Sequence, residues 1–191
     1  MLSSLLGELL VWSSKDIALV ILTAVVVFVI SVTVFQIPRL LTGNGALGYV
    51  TTVGMAFLIS LTFLLFEGRR WRFFAHNTLV VLLSLPTSFI GTPFDLVPRL
   101  VSFLVGFQAD LIVNSLYQRF SESNKLVWWA ILTCLEFFLV LPLFQLSFFP
   151  LYFSPQFMEA FSNLLLLMSP WIIGGAIIGS YLGYKAYQRI K

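Results

Sequence analysis

Charge is missing from this chain over stretches that no soluble fold could accommodate. Residues 17–36, 46–66 and 78–94 contain no Asp, Glu, Lys or Arg. Residues 96–118 contain Arg99 and Asp110, residues 126–149 contain Glu136, and residues 160–187 meet their first charge at Lys185. A transmembrane helix needs ~20 predominantly apolar residues, because the hydrocarbon core of a bilayer is about 30 Å thick. Six such runs fit the chain. Charged residues make up 10% of the sequence, against about 25% in soluble domains. A chain of 191 residues has too little interior to hide the apolar remainder. Lipid removes the difficulty by acting as solvent for the apolar faces.

Runs such as Val25-Val26-Val27-Phe28-Val29-Ile30 and Leu164-Leu165-Leu166-Leu167 do not alternate as barrel strands do. The sequence therefore predicts an all-α polytopic helix bundle, one integral membrane domain over residues 1–191 with about six transmembrane helices. The last helix is expected to break near residues 169–170. A continuous helix there would overrun the bilayer, and Pro170 offers the interruption. The apolar start, residues 1–12 with one acid at Glu8, is too short to span and reads as an interfacial helix. It carries no basic n-region, which argues against a cleaved signal peptide.

With six spans, Lys15, Arg69, Arg70, Arg72, Arg119, Lys125, Lys185, Arg189 and Lys191 fall on one side and Arg39 and Arg99 on the other. That bias predicts a multi-pass protein of the plasma membrane with both termini in the cytoplasm. The loop Gly68-Arg69-Arg70-Trp71-Arg72-Phe73-Phe74 reads as a cytoplasmic anchor at the membrane surface. No nucleic-acid partner is expected from it.

Ionisable groups inside lipid are costly, so chemistry is sought among them first. At about 100° per residue, Arg99, Phe103, Gly106, Asp110, Asn114 and Tyr117 share one stripe of the fourth span. Trp129, Thr133, Glu136, Val140, Leu143 and Ser147 share one in the fifth. Counted from the turn at residues 121–124, Asp110 and Glu136 lie at similar depth and are placed to face each other across an internal cavity. Arg99 is ~16 Å from Asp110 along the helix and cannot neutralise it. The pair reads either as a site for a polar substrate or ion, or as glue between helices. The candidate substrate-binding residues are Asp110, Glu136, Asn114, Gly106, Arg99 and, in the last run, Asn163.

Gly175, Gly179 and Gly183 form a ridge of small residues four apart, the pattern of close helix packing, with the partner either internal or another chain. Gly43, Asn44 and Gly45 permit unusual backbone angles and suit either an external lid or a plain turn. One histidine, His76, excludes a His-based metal cluster, and one cysteine, Cys134, excludes an intrachain disulfide. His76 is placed in the basic loop, far from any nucleophile. The chain has no Gly-x-Ser-x-Gly, no His-Glu-x-x-His and no P-loop. No enzymatic activity, metal or cofactor is expected.

Three features carry a resemblance. They are the six short-looped spans with both ends inside, Gly91-Thr92-Pro93 followed by Leu104-Val105-Gly106-Phe107-Gln108-Ala109-Asp110-Leu111, and Gly174-Gly175-Ala176-Ile177-Ile178-Gly179-Ser180-Tyr181-Leu182-Gly183-Tyr184-Lys185 ahead of a basic tail. Together they resemble the substrate-binding (S) components of energy-coupling-factor vitamin transporters. The resemblance implies an outward-facing pocket built from the last three helices and the first external loop. It also implies a small-molecule substrate, a transmembrane coupling subunit and two ATPase subunits. The Ala-x-x-x-Ala that many S components carry on their first helix is not present, since Ala18 and Ala24 are six apart. The expected function is that of a membrane-embedded subunit binding a small polar nutrient, such as a vitamin or precursor, for uptake. Two other expectations are a non-transporting six-span scaffold and a stand-alone ion-coupled carrier with Asp110 and Glu136 as proton sites. A transporter requires a cavity opening outward. A scaffold buries its polar stripes against helices and leaves none.

Overall fold

The structure, a computed structural model, describes residues 12–42, 50–90 and 93–191. The interfacial segment expected before Trp12, the Gly43-Asn44-Gly45 loop, and Gly91 with Thr92 lie outside the described residues. Helix α1 (Ser14–Ile30) starts at a capping box, in which the Ser13 hydroxyl accepts from the Asp16 N–H and the Asp16 carboxylate accepts from the Ser13 N–H. It continues through one π-helical stretch, Ser31–Phe35. A short α2 (Ile37–Thr42) precedes α3 (Thr52–Phe66), α4 (Arg72–Leu83), α5 (Leu96–Glu122), α6 (Leu126–Phe148) and α7 (Pro155–Ile190). Asp95 caps α5 by accepting from the Val97 N–H, and Ser154 caps α7 by accepting from the Phe157 N–H. Pro155 stands in the first turn of α7, where its missing N–H costs nothing. Among the described residues there is no strand. Helices α1, α5, α6 and α7, with their continuations, are long and apolar enough to cross a membrane, and α3 and α4 are shorter apolar helices.

Two boundaries differ from the sequence expectation. The expected start of α3 at residue 46 lies outside the described residues, and the helix is seen from Thr52. The third run, expected over residues 78–94, is helical only from Arg72 to Leu83. Residues 84–90 are turns and bends, because the residue ahead of Pro86 avoids the helical region and the chain leaves the helix at Ser84. Residues 72–77, His76 among them, therefore belong to a helix and not to the basic loop. The break expected near residues 169–170 is not there, and α7 runs through Pro170 without interruption. Pro170 has no N–H for the Leu166 carbonyl, but the Ser169 hydroxyl donates to that oxygen at 2.8 Å and replaces the lost bond.

Helices α3 and α7 make the most extensive pair, and α5 packs on α6 and α4, α6 on α7, and α1 on α4. The glycine ridge is the reason for the first contact. A Cβ on Gly179 would overlap the Val53 carbonyl oxygen and lie 2.8 Å from the Ala56 Cβ, and one on Gly183 would lie 2.8 Å from the Phe57 carbonyl oxygen. The partner of Gly175, Gly179 and Gly183 is therefore internal, and it is α3. Behind that seam the core is aromatic. Phe63 stacks on Phe73 with centroids 3.7 Å apart, and Trp129 meets Phe63 and Tyr117 edge-on at 5.8 and 4.9 Å. The Trp129 indole N–H donates to the Val113 carbonyl at 2.9 Å, so this large side chain is buried with its polar atom satisfied.

The start of α1 and the end of α7 lie at one end of the bundle. Arg69 and Arg72 pair with Asp16, and Lys191 pairs with Glu67 at 3.0 Å and donates to the Tyr187 hydroxyl at 3.1 Å. The Lys191 ammonium holds the Glu67 carboxyl below the usual carboxylate range. The pair is largely exposed, and such pairs contribute little stability. At the opposite end the Ser88 hydroxyl donates to Gln36 and the Trp171 indole to the Val50 carbonyl.

The charge bias assigns the basic end to the cytoplasm. Cys134 is fully buried, with its thiol on the Ala56 carbonyl, so it gives no background in thiol labelling. In Arg70→Cys and Glu122→Cys, a membrane-impermeant maleimide should react only after cells are permeabilised. Reaction at either position in intact cells reverses the orientation.

Candidate functional site

Because α4 stops after 12 residues, about 18 Å of rise, the space beyond its last turn is not filled by helix. A cavity of about 820 Å³ extends from there along the inner face of α4, bounded by α1, α3, α4, α5, α6 and the start of α7. That volume lies within the range of small-molecule sites, about 300–1,000 Å³. Its lining reaches the end opposite the termini at Gln36, Phe89, Asp95 and Phe153, and closes towards the basic end at Phe73, His76 and Asn77. Phenylalanines from the end of α1, α4, α6 and the start of α7 supply much of the apolar wall, including Phe35, Phe73, Phe137, Phe138 and Phe161. The polar groups are Ser31, Gln36, Thr51, Thr52, Gln145, Ser102 and Asp95 towards the walls and mouth, with His76 and Asn77 at the closed end. Among the described residues no lysine or arginine is in the lining.

The closed end is held by two hydrogen bonds. His76 Nδ1 lies 3.0 Å from the Thr23 hydroxyl of α1, and that hydroxyl donates to the Leu19 carbonyl at 2.8 Å. Asn77 Nδ2 donates to the Ser102 carbonyl of α5 at 2.9 Å. Phe73 stacks against the His76 ring at 5.8 Å and Phe66 meets it edge-on at 5.9 Å. At the outer level the Ser31 hydroxyl, 1% exposed in the π-helical stretch, has no partner among the described residues. Such a stretch shifts the register of α1 and turns Ser31 into the lining.

The stripe on α5 points inward, as its periodicity indicates, but towards α4 and not into the cavity. Asp110 is 1% exposed, and its two carboxyl oxygens accept from the backbone N–H groups of Trp71 at 2.9 Å and Phe74 at 2.7 Å. Those are free donors of the first turn of α4, so Asp110 caps that helix from a neighbouring one. Asn114 donates to Asp110 at 2.9 Å and to the Arg69 carbonyl at 3.4 Å. Gly106 makes room for Asn77, since a Cβ there would lie 2.7 Å from the Asn77 Cγ. Arg99 is 2% exposed and donates to the carbonyls of Ser84, Leu85, Thr87 and Asp95, which fixes the non-helical segment after α4.

These placements correct the expected site. Asp110, Asn114 and Arg99 satisfy backbone groups, and none of them lines the cavity. Glu136 does not face Asp110. Both its oxygens are buried without a hydrogen bond that meets normal geometry, beside Gln108 of α5, and it too lies outside the lining. Asn163 is exposed on α7, where Ala160, Phe161 and Leu164 face the cavity instead. His76 and Asn77 were missed because the basic loop was drawn too long. Phe73, Asn77, Val80 and Ser84, with His76 and Val81 beside them, carry the helical spacing that marks this face.

Among the described residues no group of three His, Cys, Asp or Glu side chains could hold a metal ion. Comparison with protein-family models, with curated proteins and with solved structures finds no match to this chain.

Proposed function

We propose that this protein is a membrane-embedded substrate-binding subunit that takes a small molecule into the bundle for uptake. The observation that carries the reading is the cavity, which is large, aromatic and closed towards the basic end. A protein that served only as a scaffold would have no use for such a space. With the basic end in the cytoplasm, the mouth faces outward. The lining changes the ligand expected from sequence, because phenylalanine walls with a few polar groups suit a flat, mostly uncharged molecule better than a strongly polar one. The chain carries no ATP-hydrolysing motif, so the resemblance supplies the energy source, a coupling subunit and two ATPase subunits.

The test is to purify the protein from its native membrane, denature it and identify released small molecules by mass spectrometry. Ala160 is exposed yet lines the mouth, so Ala160→Trp fills the cavity without disturbing the core. A molecule released by the parent protein and missing from Ala160→Trp supports the reading. Phospholipid alone from both proteins rejects it.

A further inference from the structure

We infer that the closed end of the cavity is a recognition floor, in which His76 and Asn77 offer hydrogen-bond acceptors to the amino-bearing edge of a heteroaromatic ring. The inference rests on the uptake reading above and names the ligand class for that same cavity.

The argument is one of proton placement. The Thr23 hydroxyl has one hydrogen, and we assign it to the nearer carbonyl, that of Leu19 at 2.8 Å, since the Val20 carbonyl at 3.2 Å also bonds the His76 ring. Towards His76 Nδ1 it can therefore only accept. Nδ1 carries the ring hydrogen, and in a neutral imidazole that leaves Nε2 bare. No described residue donates to Nε2, and His76 lines the cavity. Asn77 is oriented by the same logic. Its Nδ2 must be the atom on the Ser102 carbonyl, because two carbonyl oxygens would repel. Nothing among the described residues donates to its Oδ1, and Asn77 also lines the cavity. Two acceptors without donors stand at the bottom of a phenylalanine-walled space.

An acceptor in such a place stays unsatisfied unless the ligand brings N–H groups. Phe73, Phe137 and Phe138 beside it suit a flat ring. Among the described residues the lining holds Asp95 and no cation, which favours a neutral or cationic ligand over an anionic one. A neutral or weakly basic amino-heteroaromatic meets all three conditions. A ring with carbonyl groups on the same edge sets acceptor against acceptor.

Thr23 and Gly106 are positioning residues for this floor. Thr23 fixes the imidazole tautomer. Gly106 leaves the space that the Asn77 amide occupies, since an added Cβ would lie 2.7 Å from its Cγ and 2.9 Å from its Cβ.

The experiment uses three related bicycles, aminoquinazoline, quinazoline and 3-methylquinazolinone, whose edge carries a carbonyl and no N–H, titrated calorimetrically into the protein in lipid nanodiscs. The expected order is amino first, by about tenfold over the parent ring, with 3-methylquinazolinone weakest. His76→Asn keeps a donor for Thr23 and removes the Nε2 acceptor, so it should cut the preference to the part that Asn77 supplies. His76→Gln places an oxygen near the Nε2 position and should restore part of it. Gly106→Ala should reduce the preference by displacing Asn77. The double variant Gly106→Ala with Asn77→Ala relieves the overlap, so it should recover thermal stability but not the preference. Equal affinities of the parent protein for all three probes, or no binding of any, overturn the floor. A released small molecule that Ala160→Trp loses would still leave the cavity reading standing.

Discussion

Asp110→Leu should prevent α4 from forming its first turn. The substitution leaves the Trp71 and Phe74 N–H groups buried without acceptors. Each orphaned donor costs about 1–3 kcal/mol, so the pair costs about 2–6 kcal/mol, comparable to the whole stability of many proteins. The effect reaches further than a lost cap. Trp71 holds a left-handed conformation, φ 68°, which a bulky side chain adopts only under constraint, and Asp110 is one of the groups that constrain it. Asp110→Asn retains one oxygen and should lose about half as much, because its amide nitrogen then faces a backbone donor. Thermal unfolding in detergent, read by size-exclusion recovery after heating, measures both. The folded fraction of Asp110→Asn should still bind ligand normally. A variant as stable as the parent protein that fails in uptake would return Asp110 to the ligand site.

Gly179→Ala is the second large expected effect, and Gly174→Ala is its control. The added methyl at Gly179 overlaps the Val53 carbonyl and crowds the Phe57 backbone nitrogen at 3.0 Å, so relief requires moving α3 as a body. At Gly174 nothing lies within 4 Å of the new carbon. Overpacking of this kind costs about 1–3 kcal/mol or more, and removing a glycine from a helix interior returns only about 1 kcal/mol. Gly179→Ala should therefore melt well below the parent protein and Gly179→Leu should fail to accumulate, while Gly174→Ala is neutral or slightly stabilised. Equal melting of Gly174→Ala and Gly179→Ala would mean that the α3–α7 seam is looser than its geometry.

The bundle was legible because lipid imposes long uncharged runs, and because helix periodicity correctly turned the Arg99-to-Tyr117 stripe inward. What lay inside was not legible. Periodicity reports which face is buried but not what it is buried against. The donors that Asp110 serves are 39 and 36 residues away in sequence, beyond any local pattern. Helix α4 was misplaced for a different reason. Its apolar half runs on through residues 84–94, so hydropathy favoured a window shifted towards Pro93, while the polar first turns that carry His76 and Asn77 resembled loop. Asp110 satisfies those first turns from outside, so they need no capping residue of their own. In α7 the proline was read correctly as a local defect, but the neighbouring Ser169 repairs it.

That repair gives the molecule a lever. Because α7 is continuous over 36 residues, about 54 Å, Phe157 and Phe161 at the cavity mouth sit on the same rod as Tyr187 beside Glu67 at the far end. Pro170 is the one place in this rod where a hydroxyl, and not an amide, carries the load between turns. Bending along α7 is therefore easiest at Pro170, between the cavity mouth and the contact of Lys191 with Glu67.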